Sequence, residues 1–148
     1  MWATEHSIDT SALPEQVWRL WADVPGWPEW NRDIERIELN GSFTVGGRIV
    51  MTPIGQEPIE LRIAEAVEPL LFVDEADLGD VLVRTTHRVE RVGDERSRVT
   101  YRMEISGPAA DTLGPELGPA ISADFPETLA TLAARAEEPS TSSRRARS

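Results

Sequence analysis

Two strictly alternating segments joined by a two-residue turn constrain this chain more than any other feature. Val81, Val83, Thr85, His87 and Val89 share one face, and Arg84, Thr86, Arg88 and Glu90 share the other. Past Gly93-Asp94, Val99, Tyr101, Met103 and Ile105 repeat the pattern opposite Arg98, Arg102 and Glu104. A period of two marks half-buried strands, and a Gly-containing turn between them predicts an antiparallel hairpin. Its apolar face needs a cover. One follows after Gly107-Pro108: Leu113, Leu117, Ile121, Phe125, Leu129, Leu132 and Ala136 recur at spacings of three or four. That spacing predicts an amphipathic helix of up to about 25 residues. Because Pro115, Pro119 and Pro126 lie within it, a loop or broken turn is expected near Pro115–Pro119 and a bend at Pro126.

Shorter strands precede the hairpin. Ile59, Leu61, Ile63 and Val67 alternate with Glu60, Arg62 and Glu68, and Glu68-Pro69 turns the chain into a strand from Leu70 to Ala76. Ile34 to Leu39 and Arg48 to Pro53 read as two more, separated by the Asn40-Gly41 turn and the Gly46-Gly47 pair. Near the start, Thr4 to Thr10 alternates weakly. A helix then opens at Pro14 with Ser11 as its nearby cap, carries Leu13, Val17, Leu20, Trp21 and Val24 on one face, and ends at Pro25-Gly26. A second short helix begins at Pro28, with Trp27 and Trp30 three apart on one face.

The order is therefore strand, two short helices, six strands, long helix: an α+β chain with a seven-stranded antiparallel sheet. A twisted sheet of that size curls. One helix, about 10–12 Å across, leaves part of the trough unfilled. The remaining space is a pocket walled by inward side chains. Residues 1–138 form one such domain, and the polar, basic stretch 139–148, with Arg144, Arg145 and Arg147, is expected to be disordered.

Charge and composition remove several classes of function. A formal net charge of −11 disfavours phosphate backbones and anionic membranes. With no cysteine and only His6 and His87, thiolate chemistry and a His-rich metal site are not expected, and no cofactor is assigned. The N-terminus lacks the pattern of a signal peptide and no run approaches a membrane span, so the expectation is a cytoplasmic protein, monomer or homodimer.

Pro14-Glu15-Gln16-Val17-Trp18, Trp27-Pro28-Glu29-Trp30-Asn31 and Gly41-Ser42-Phe43-Thr44-Val45-Gly46-Gly47-Arg48 resemble the polyketide cyclase/dehydrase branch of the START/Bet v 1-like (SRPBCC) superfamily. His87 in the sixth strand, Gly107-Pro108, and Pro126 before Leu129 and Leu132 fit as well. The resemblance spans roughly residues 4 to 137 and implies a helix-grip fold. It also implies a small hydrophobic ligand: aromatic, polyketide or lipid-like. Alternatives are a cyclase, aromatase or dehydratase, and a co-chaperone-like or regulatory interaction module.

Candidate site residues follow from the inward faces. His87 could hydrogen-bond a ligand or move protons, or be a core histidine paired to backbone or carboxylate. Tyr101 is on the inward face of the neighbouring strand, within a few residues of facing His87 if Gly93-Asp94 sets an antiparallel pairing, and is the other half of the candidate polar end, with a filled core as the plainer alternative. Glu65 shares the parity of Leu61 and Ile63. It is a candidate base or partner of His87 if it points inward, with the plainer alternative that it meets solvent at the strand end. Trp27 and Trp30 would cover the pocket mouth, whereas Trp18 and Trp21 read as structural. Met51, Leu61, Ile63, Phe72, Val83, Thr85, Met103, Leu117, Ile121 and Phe125 complete the expected wall.

Overall fold

The structure, a computed structural model, describes residues 1–138; the basic stretch 139–148, expected to be disordered, lies outside the described residues. Seven antiparallel strands form one sheet in the order β1-β7-β6-β5-β4-β3-β2. They are β1 (Trp2–Thr10), β2 (Ile34–Asn40), β3 (Arg48–Pro53), β4 (Ile59–Val67), β5 (Leu71–Asp77), β6 (Leu82–Gly93) and β7 (Arg96–Ser106). Three helices complete the fold: α1 (Pro14–Ala22), α2 (Ala110–Ser122) and α3 (Phe125–Glu137). This is the helix-grip arrangement, with the terminal helical segment laid against the concave face of the sheet.

The β6–β7 hairpin pairs as its alternation requires, with His87 opposite Tyr101 and Thr85 opposite Met103. β1 adds on the far side of β7, placing His6 opposite Tyr101. In β5 the pleat sends Phe72, Asp74 and Ala76 inward, and Val73 and Glu75 to the convex face, where Glu75 meets Arg62 and Arg84.

Several boundaries differ from the sequence expectation, for physical reasons. The cap of α1 is Leu13, whose N–H is taken by the Gln16 side chain at 2.7 Å; Ser11 is instead held through its own N–H by Glu137. The second short helix is a 3-10 turn, Val24–Glu29, that begins before Pro28 because Pro25 suits its first turn. Pro115 and Pro119 do not break α2. Both are on its solvent side, where water can serve the carbonyls that lose partners. The break falls at Ala123-Asp124, and Pro126 opens α3 instead of bending a continuous helix.

The stripe of α2 that packs most closely is not its leucines. Gly114 and Gly118 lie against Trp2, where an added Cβ would come within 2.6 and 2.3 Å of the indole. Leu113 and Leu117 are half-buried, and Ile121 is 39 % exposed. This asymmetry positions the site. α2 and α3 lean on β1 and β7, so the concave face of β3 to β6 is left for other side chains to cover.

Candidate functional site

A cavity of about 210 Å³ opens there. Six aromatic residues line it: Trp21, Trp27, Trp30, Phe72, Tyr101 and Phe125. Met51, Ile59, Leu61, Ala76 and Val83 supply aliphatic wall, and Leu78 and Ile121, both well exposed, stand at its rim. Polar atoms come from Asp74, Thr85, His87, Tyr101, Asn31, Asp124 and Thr128.

The aromatic wall is a connected set. Trp21 in α1 packs edge-on against Phe72 at 5.4 Å and donates its indole N–H to the Tyr101 hydroxyl at 3.2 Å. Trp27 donates to the carbonyl of Trp21 at 3.0 Å, and the carbonyl of Trp30 accepts from the Thr131 hydroxyl of α3 at 2.6 Å. The Trp27 indole and the Trp30 backbone are thereby tied down. Each such bond contributes about 1 kcal/mol, and more would be lost by leaving a buried partner unpaired.

His87 lies flat on Phe72, with ring centroids 3.9 Å apart, and edge-on to Tyr101 at 4.6 Å. Its Nδ1 is 3.3 Å from the carbonyl oxygen of Phe72. A carbonyl only accepts, so Nδ1 carries the proton. Burial pushes His87 down to about 3, with the Phe72 carbonyl opposing. The ring is therefore neutral and Nε2 presents a lone pair. Facing Nε2 at 3.9 Å is Oδ2 of Asp74, too far for a hydrogen bond.

Asp74 is the residue the sequence reading overlooked. Its side chain is 8 % exposed, borders the cavity, and has no hydrogen bond among the described residues. Burial, with Glu75 beside it, raises it from 3.8 to about 7. Tyr101 is also pushed well above its ordinary value, first by burial. At the other end, burial and the neighbouring Asp33 carboxylate raise Asp124 to about 6. The available signal was Asp74's place in β5: it shares parity with Phe72 and Ala76, but the reading left the register of that strand open.

Of the expected wall, Trp27, Trp30, Met51, Leu61, Phe72, Val83, Thr85, His87, Tyr101, Ile121 and Phe125 border the cavity. Ile63 and Met103 are fully buried in the core and Leu117 is half-buried on α2, all three away from the cavity. Trp21, read as structural, is part of the wall. Glu65 is on the convex face, half-exposed and ion-paired to Arg84. A bulge between Ile63 and Glu65 inserts one residue, so the parity that points Leu61 and Ile63 inward points Glu65 out.

Residues 1–137 match the family described as "Polyketide cyclase / dehydrase and lipid transport". The chain belongs to that family. No curated protein matches it. Norcoclaurine synthase from Thalictrum flavum, in complex with dopamine and hydroxybenzaldehyde, superposes with a TM-score of 0.69 at 16% identity, over 93% of this chain and 88% of that one. A START superfamily protein from Mycobacterium smegmatis gives 0.71 at 12%, over 91% and 97%. The di-domain ARO/CYC protein BexL from the BE-7585A biosynthetic pathway gives 0.71 at 13%, over 93% of this chain and half of that one. At such identities the likeness is one of fold. Among the described residues, no helix is long and apolar enough to cross a membrane.

Proposed function

We propose that this chain binds a small, largely aromatic molecule in the cavity between α1, the Trp27–Trp30 segment and the concave face of β3 to β6. The observation that carries this reading is an aromatic-lined space of about 210 Å³ with its polar groups gathered on one side. Size narrows the ligand class. An engineered apolar cavity of about 150 Å³ holds benzene. The space here therefore suits a one-ring or small two-ring compound, and a long polyketide would need the rim to open. The same cavity argues against an interaction module with a filled interior.

The reading is tested by titrating small aromatic compounds and following both stability and tryptophan fluorescence, since three indoles line the space. A ligand at 100 times its Kd stabilises the fold by about 2.7 kcal/mol. Ala76→Phe, which places a ring inside the cavity, should abolish that gain. A gain that persists undiminished in the filled variant would place binding elsewhere.

A second reading is favoured by Asp74 and His87. A carboxyl near 7 beside a neutral imidazole, inside an apolar cavity, is suited to taking and returning protons. Under it, the chain would be a cyclase or dehydratase in which His87 and Tyr101 contact substrate. His87→Ala and Tyr101→Phe should then cut turnover by about 10²–10⁴-fold with binding preserved.

A further inference from the structure

We infer that the ligand carries an amine, and that its ammonium group sits between Asp74 and His87 with its ring among the cavity's aromatic side chains. This deepens the binding proposed above and rests on it.

Acceptors outnumber donors at this end of the cavity. The Phe72 carbonyl fixes the proton of His87 on Nδ1, so Nε2 is an acceptor. Asp74 turns a second acceptor towards it at 3.9 Å with nothing bonded to either. Two indole N–H groups of the wall are already committed: Trp21 to Tyr101, and Trp27 to the Trp21 carbonyl. A nitrogen about 2.9 Å from both acceptors would see them at roughly 85°, close enough to tetrahedral for two N–H bonds. A hydroxyl has one hydrogen and serves both groups only while Asp74 keeps its proton; beside the carboxylate it leaves one acceptor unmet. An ammonium serves both and has a third N–H to spare. Its charge is favoured in turn by the carboxylate and by the faces of Trp, Phe and Tyr rings.

Among the described residues, the other charged groups near Asp74 do not provide a cation. Glu75 is on the opposite face, engaged by Arg62 and Arg84. Tyr101 and Asp124 feel each other across the cavity, and neither is cationic. A buried carboxyl without a cation is costly; an incoming ammonium supplies one and would draw the proton off Asp74.

The experiment compares 2-phenylethylamine with propylbenzene, which replaces the amine by a methyl group of like size. At pH 7.5 the amine should bind about tenfold or more tightly. In Asp74→Asn that preference should vanish. Calorimetry in buffers of different ionisation heat gives a second readout on the unmodified protein. Amine binding should release close to one proton at pH 6 and almost none at pH 8.5, because binding ionises Asp74. Propylbenzene binding as tightly as the amine, a preference undiminished in Asp74→Asn, or no proton release at pH 6 would each overturn the amine inference and leave the cavity reading standing. Failure of both probes to bind the folded protein would remove the cavity reading as well.

Discussion

Asp74 and Glu75 are consecutive carboxylates of β5, and the pleat sends them to opposite faces of one sheet. On the convex face Glu75 is held by Arg62 at 2.8 Å and by Arg84 at 2.6 Å. Burial raises its pKa, but the two guanidiniums outweigh that and keep it below the ordinary carboxylate value. On the concave face Asp74 meets rings and a neutral imidazole, and burial lifts it to about 7. All fifteen basic residues are arginine, and the sheet spends several on its outer surface. Among the described residues, none is turned towards Asp74. A carboxyl left unpaired where folding alone would favour an apolar side chain is what a binding site requires, and Glu75 shows what a structural carboxylate looks like one residue away.

The largest test of that contrast is Asp74→Asn at pH 8. The folded-state value is raised from 3.8 to about 7, so stability is lost as pH rises through that window. Above it, the cost of the buried charge is on the order of 4 kcal/mol. The variant should gain much of that at pH 8 and little at pH 4.5, read from urea midpoints. Glu75→Gln should do the reverse, costing about 1 kcal/mol at neutral pH by weakening charge-assisted bonds to two partly exposed arginines. Equal signs for the two neighbours would break the comparison.

His87 sharpens it. Its value is depressed from 6.5 to about 3, so the unfolded chain binds the extra proton between those limits and stability is lost as pH falls. Between about pH 4 and 6.5 the His87 and Asp74 slopes oppose each other. His87→Gln removes one, so its stability should fall by about 1.4 kcal/mol per unit as pH rises from 5 to 6.5; a flat profile would show that Asp74 does not titrate as argued. Glu65→Gln has the smallest effect. An exposed ion pair with Arg84 contributes under about 1 kcal/mol, and ligand binding should be unchanged because Glu65 points away from the cavity.

The pattern of strands was readable because alternation records which face is buried. Thus β6 and β7, where it is strict, emerge with the inward set intact, including the facing His87 and Tyr101. It was misread wherever local geometry resets the phase. One inserted residue in β4 turns Glu65 outward, and an irregular run of Leu70-Leu71-Phe72-Val73 concealed that Asp74 faces in. In α2 the leucine spacing suggested the packing face, yet Gly114 and Gly118 take it because only a bare backbone fits against Trp2.

What the sequence determined by itself is the order of elements, the curved sheet with its helical cover, and most of the apolar wall, since periodicity and turn residues act locally. Only the tertiary structure decided where the helices lean and therefore where the cavity opens. It alone brought Trp21, Asp74 and His87, from three separate elements, around one space. The physical reason is that burial and pairing depend on neighbours distant in the chain: a carboxyl beside arginines is held in its charged form, and one among aromatic rings is pushed towards its neutral form.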